Sequence, residues 1–157
     1  MSTNKFKLFL ENARILSDKF GIVPLLYGSL GLEYLTGDAL GVDDIDILVL
    51  RVFITERWYE FKVLLEVQGY VLADEHEHTF VRDGVAYSYA DIEDLKSFAG
   101  INIEDIEVHE VDGVCFLLLS LEQYLAVYRQ SSKDGYRVNI RQKKDVEKIK
   151  FIESKIN

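Results

Sequence analysis

Two Asp-Gly dipeptides, Asp83-Gly84 and Asp112-Gly113, each stand between two short apolar runs: Thr79–Arg82 and Val85–Ala90 around the first, Ile106–Val111 and Val114–Leu119 around the second. An Asp-Gly pair suits the two positive-φ positions of a tight turn, so each dipeptide predicts an antiparallel hairpin. Further strands are expected at Ile22–Tyr27, where Pro24 marks a strand start or an edge, at Ile45–Val52 and at Tyr70–Ala73.

Helical spacing fills the rest. Phe6, Phe9, Leu10, Ala13, Leu16 and Phe20 predict an amphipathic helix closed by Gly21. Leu32 and Leu35, ahead of Gly37, predict a short helix over Ser29–Thr36. Thr55 is placed to cap a helix bearing Trp58, Phe61 and Leu65. Asp91 and Asp94 mark a helix start before Leu95 and Phe98. Ser120 and Gln123 form a capping-box pattern ahead of Tyr124, Leu125 and Tyr128. A polar loop, Ser131–Gly135, leads to a last helix with Val146, Ile149, Ile152 and Ile156 on one face. The expected class is α/β (α+β), a mixed β-sheet flanked by helices. With 157 residues, one proline and no linker-like stretch, a single domain over 1–157 is expected, its C-terminal helices 120–156 packed on it.

Composition narrows the function. A net charge of -9 argues against a general nucleic-acid partner, because such binding rests on Lys and Arg neutralising phosphates. It leaves a nucleotide substrate open, since a divalent cation can supply positive charge locally. No stretch has the roughly 20 apolar residues of a membrane span, and charges interrupt the N-terminal apolar stretches, so a cytoplasmic protein without a membrane partner is expected. The lone Cys115 sits in an apolar run and reads as a small hydrophobe in a reducing compartment.

The stretch Leu25–Leu50 concentrates the chemistry. A strand running into Gly28-Ser29 and then a helix is suited to phosphate, because helix N-terminal N–H groups point at the anion and glycine allows close approach. The competing reading is a turn glycine followed by a serine cap. Asp44 and Asp46 then flank Ile45 at the mouth of a strand. Alternation puts both on one face, with Cα atoms about 6.5–7 Å apart. Carboxylates so close repel unless protons or metal ions offset them, and Mg²⁺ takes carboxylate oxygens together with substrate phosphates. A solvated acidic turn is the alternative.

Tyr27-Gly28-Ser29, fourteen intervening residues and Asp44-Ile45-Asp46-Ile47 together resemble the nucleotidyltransferase superfamily, the DNA polymerase beta-like fold, and its small bacterial branch similar to lincosamide nucleotidyltransferases. The closing segments "SLEQYLAVYRQSS" and "RQKKDVEKIKFI", with the pair Lys144-Asp145, are similar to the last helices of that branch. The resemblance implies that Gly28 and Ser29 hold nucleotide phosphates, that Lys144 reaches them, and that Asp44 and Asp46 bind Mg²⁺ or Mn²⁺. The implied reaction moves a nucleoside monophosphate from an NTP, ATP first, to a hydroxyl of a small molecule or protein. It further implies a third catalytic carboxylate on the neighbouring strand, expected near Ser88. Asp91 is the nearest carboxylate, although capping a helix start is the favoured reading of it. Lys144 also reads as one charge on an exposed helix face with Lys148 and Lys150.

Two alternatives stand beside the enzyme. One is a nucleotidyltransferase-fold module, weakly active or inactive, that senses a nucleotide or pairs with a protein in the manner of an antitoxin; a protein partner or homodimer is compatible with either reading. The other is an unrelated α/β domain with a coincidental Asp-Ile-Asp, which predicts no cleft between Ser29 and Asp46. His76 and His78 form a weak metal pair more simply read as a solvated loop. Tyr87 and Tyr89 are candidates to line a cleft, and Glu33 is open between cleft and solvent.

Overall fold

The computed structural model describes residues 3–133 and 140–156. The chain runs α1 (Thr3–Phe20), β1 (Leu25–Tyr27), α2 (Gly28–Thr36), β2 (Ile45–Val49), α3 (Trp58–Val67), β3 (Val71–Asp74), β4 (Thr79–Arg82), β5 (Val85–Asp91), α4 (Asp94–Ala99), β6 (Glu107–Val111), β7 (Val114–Leu118), α5 (Leu121–Ser132) and α6 (Ile140–Ile156). The strands form one mixed sheet in the order β3-β4-β5-β2-β1-β7-β6. Both Asp-Gly turns are tight hairpins. Asp83 and Gly84 have φ of 52° and 77°, Asp112 and Gly113 of 52° and 78°, and the strands they join pair antiparallel. The parallel pairs are β1 with β7 and β2 with β5.

Helices cover both sheet faces, so the central strands are buried on each and read as apolar runs. Ile45, Ile47 and Val49 of β2 join Leu26, Tyr87 and Tyr89 beneath α1 and α3, where Phe9, Phe61 and Leu65 are fully buried. Leu48 points the other way and packs with Leu25, Leu117, Tyr124 and Ile152, under α4, α5 and α6. Asp46 shares the side of Leu48 by alternation. At its site β2 therefore presents a carboxylate toward the C-terminal helices and an apolar stripe toward the N-terminal one.

Several local expectations give way to tertiary structure. Pro24 marks the strand start, as expected, but the strand is shorter than Ile22–Tyr27 and does not lie at an edge. β1 begins after it and lies mid-sheet, and the Pro24 carbonyl accepts from the Leu117 amide at 2.8 Å. β2 stops at Val49, and a 3₁₀ turn over Arg51–Ile54 follows. Thr55 does not cap α3: its hydroxyl donates back to the Arg51 carbonyl at 2.7 Å, and the helix starts at Trp58. The capping box at Ser120 is complete, with Gln123 N–H to Ser120 Oγ at 3.1 Å and Ser120 N–H to Gln123 Oε1 at 2.9 Å. Ser131 and Ser132 belong to α5 rather than to a loop, and positions 134 and 135 of that expected loop lie outside the described residues. Among the described residues no helix is long and apolar enough to cross a membrane.

Candidate active site

The β1–α2 junction builds the centre of the site. Register sets Tyr27 of β1 opposite Asp46 of β2. The next residue, Gly28, turns the chain into α2 with φ of 63°. A Cβ at this position would lie 2.5 Å from Asp46 Oδ2, so only glycine lets the backbone come against that carboxylate. No side chain caps the N-terminus of α2 and no acidic residue stands in its first turn. Gly28 and Ser29 line the cleft at this uncapped helix start, an arrangement suited to an anion.

Buried contacts fix this junction. The Tyr124 hydroxyl of α5 donates to the Gly28 carbonyl at 2.9 Å, and burial raises its pKa well above the ordinary value, keeping it a donor. Gly31 makes the approach possible, since any Cβ there would collide with that hydroxyl and with the Leu26 carbonyl. Glu33 points neither into the cleft nor to solvent. It is 1% exposed, and its Oε2 accepts from the Leu40 amide at 2.8 Å, tying the loop that leads to Asp44 back onto α2.

Two hollows meet at this junction. One, of about 480 Å³, is lined by Gly28, Ser29, Asp46, Ser88, Tyr128 and Asp145, with Glu77 and Phe98 at further points of its wall. The other, of about 540 Å³, is lined by Ser29, Asp43, Asp44, Asp46 and Phe151. Ser29, Asp46, Lys144 and Lys148 line both. The shared cleft between Ser29 and Asp46 removes the reading of Asp-Ile-Asp as a coincidence in an unrelated domain. Lys148 stands one helical turn beyond Lys144 and is the more enclosed of the two. Burial lowers its pKa, the mark of an ammonium partly stripped of water.

The expected residues divide. Gly28, Ser29, Asp44, Asp46 and Lys144 come together around the two hollows. Asp91 does not. β2 and β5 run parallel with Asp46 opposite Ser88 and Val49 opposite Asp91, so Asp91 lies three residues on and faces the other side of the sheet. It is ion-paired to Arg51 Nε, and its Oδ1 accepts from the Glu93 amide at 2.8 Å, while Arg51 also reaches Asp94 at 3.1 Å. Asp91 is therefore the clasp between the end of β2 and the approach to α4, and Ser88 occupies the position beside Asp46. The Ser88 hydroxyl shares a 2.8 Å hydrogen bond with Thr79 Oγ1.

The other candidates are structural. Tyr87 and Tyr89 are each 1% exposed; Tyr87 packs edge-on against Tyr70, and the Tyr89 hydroxyl accepts from Asn12 Nδ2 at 2.6 Å. Burial pushes both phenols upward in pKa. The His78 ring lies 4.8 Å from that of Trp58 while His76 is exposed. Among the described residues no three His, Cys, Asp or Glu side chains are grouped closely enough to hold one ion. Lys148, Tyr124, Gly31 and Glu77 stand at the site without having been expected there from sequence. Only Lys148 carried a usable signal, its four-residue spacing from Lys144 on one helix face.

Comparison with known proteins agrees with the fold. No family model matches the chain. The antibiotic-resistance factor ANT(2'')-Ia superposes with a TM-score of 0.55 at 13% identity, over 99% of this chain and 92% of its own. A structure of ANT(2'')-Ia in complex with adenylyl-2''-tobramycin gives 0.56. An antigenic nucleotidyltransferase-like protein from Paracoccidioides brasiliensis gives 0.62 at 16% identity, over 93% of this chain and 73% of its own. In sequence, the uncharacterized protein YnaI of Bacillus subtilis (strain 168) is 38% identical over 144 residues, 92% of each chain. The chain has the nucleotidyltransferase fold and belongs to one family with Bacillus subtilis YnaI.

Proposed function

We propose that this protein transfers a nucleoside monophosphate from an NTP, with ATP as the first candidate, to a hydroxyl group of a small molecule or protein. The observation that carries the reading is the contact of the Gly28 turn with the Asp46 carboxylate, at the meeting of two hollows. In this reading the open N–H groups of α2 and the Ser29 hydroxyl hold phosphate oxygens. Lys148, partly desolvated, and Lys144 neutralise the triphosphate from the opposite wall. Phe98 and Tyr128 offer aromatic surface for the base or the acceptor.

The donor set fits one divalent ion: Asp46 stands at the glycine cradle, Asp44 heads the same strand, and phosphate oxygens would complete the shell. Bound Mg²⁺ or Mn²⁺ would offset the paired carboxylates and polarise the phosphate. A second ion has no further carboxylate grouped with these two among the described residues. The adenylyl-2''-tobramycin in complex with ANT(2'')-Ia is consistent with a hydroxyl acceptor. The deciding test is the double substitution Asp44→Asn with Asp46→Asn, followed by calorimetry with Mg²⁺ and ATP. Affinity should fall at least about 100-fold, and unchanged affinity would sink the assignment.

One observation favours a second reading. Ser88, a hydroxyl, stands where a third carboxylate would lie beside Asp46, and Asp91 is committed to Arg51. A protein that binds a nucleotide without transferring it, and passes that state to a partner, needs no such group. Under that reading wild-type protein binds Mg²⁺ and ATP but releases no pyrophosphate with any hydroxyl acceptor.

A further inference from the structure

The transfer reading leaves one chemical requirement without an owner. As the acceptor oxygen bonds to the α-phosphorus and the bond to the bridging oxygen breaks, the acceptor proton must leave. Ser88 cannot take it: a neutral hydroxyl is no base near neutral pH, and this one is engaged with Thr79. Three carboxylates line the 480 Å³ hollow: Asp46, Asp145 and Glu77. Asp46 faces the phosphate cradle. Asp145 is 4% exposed, and its Oδ2 accepts the Ser131 hydroxyl at 2.7 Å. Glu77 is exposed, and its carboxylate enters no hydrogen bond or ion pair among the described residues.

Register shows how Glu77 comes to this wall. Asp46 pairs with Ser88 across β2 and β5, and Ser88 pairs with Thr79 across β5 and β4. The turn entering Thr79 carries Glu77. Two strand spacings, about 9–10 Å, separate the backbones of Asp46 and Thr79. Carboxylates reaching inward from the two sides leave room for a phosphorus and the oxygen attacking it. The turn is held in place: the Glu77 N–H donates to Asp74 Oδ1 at 3.1 Å, the His78 carbonyl accepts from the Tyr89 amide at 3.1 Å, and the His78 ring rests on Trp58.

Building on the transfer reading, we propose that Glu77 is the catalytic base, a carboxylate supplied from the β3–β4 turn in place of one on β5. It takes the acceptor hydroxyl proton as the new P–O bond forms; pyrophosphate departs, and Glu77 returns the proton to solvent. It does this as a base and not as an ion ligand, because it is not grouped with Asp44 and Asp46 closely enough to share one ion.

The test uses full-length protein, Mg²⁺ and α-labelled ATP with water as the probe acceptor, reading AMP release in single turnover and Mg²⁺-ATP affinity by calorimetry. Glu77→Gln should lower AMP release at least about 100-fold with affinity held within about twofold, and Glu77→Asp should recover part of the rate. Wild-type release from Glu77→Gln overturns the proposal, as does a parallel loss of rate and affinity, which would make Glu77 a nucleotide ligand. Wild type that binds Mg²⁺-ATP but releases no AMP also overturns it. Wild type that fails to bind Mg²⁺-ATP overturns the transfer reading beneath it.

Discussion

The two faces of β2 and β5 are made from alternate residues of the same strands yet have opposite characters. Toward α1 and α3 the strands present Ile45, Ile47, Val49, Tyr87 and Tyr89, all essentially without exposure and interlocked with Phe61 and Phe80. Toward α5 and α6 they present Asp46 and Ser88 to an open hollow. A period of two residues is enough to separate a sealed aromatic core from a wet polar cleft. The lesson is that stability and ligand chemistry are separable here by face, although not by element.

Substitutions on each face break or sharpen that division. The largest expected effect is on the sealed face. Phe61→Ala removes a fully buried ring packed among Phe20, Phe53, Trp58 and Tyr89, and should lower unfolding free energy by about 3–5 kcal/mol in urea titration. Nucleotide affinity of the folded fraction should stay within about twofold, since the site lies across the sheet. A strong loss of affinity would show that the two faces are coupled.

Gly28→Ala tests the point where they cannot be separated. It forces a side chain onto φ of 63° and into the Asp46 carboxylate. About 1–2 kcal/mol of stability should be lost for the backbone alone, with a larger proportional loss of ATP binding by calorimetry. The smallest effect is expected of Asp91→Asn. It loosens the clasp to Arg51 but should leave nucleotide affinity and AMP release within about twofold, because the carboxylate faces away from the cleft.

The sequence was most informative where structure is decided within a few residues. Both Asp-Gly hairpins, the capping box at Ser120 and the Gly28 turn could be read locally because each is set by its own φ values or by one side-chain-to-backbone bond. Thr55 misled because the turn before it claimed its hydroxyl, which donates to the Arg51 carbonyl instead of capping α3. The site divided in the same way. Asp44 and Asp46 are close in sequence and stay close in space. Ser88 was expected beside Asp46, and register across the parallel pair puts it there; Asp91, the nearest carboxylate, falls three residues on and faces the other side of the sheet. Glu77 could not have been found at all, since it enters the hollow from two strands away.

The tie between Glu33 and the Leu40 amide has a consequence for the entropy of binding. The segment from Gly37 to Asp44 would otherwise be an open connection, and closing it on a ligand would cost freedom at each residue it orders. A buried carboxylate anchored in α2 already holds the middle of that segment. Under the proposed function, a triphosphate bound at Ser29 and Asp44 would have less chain left to immobilise.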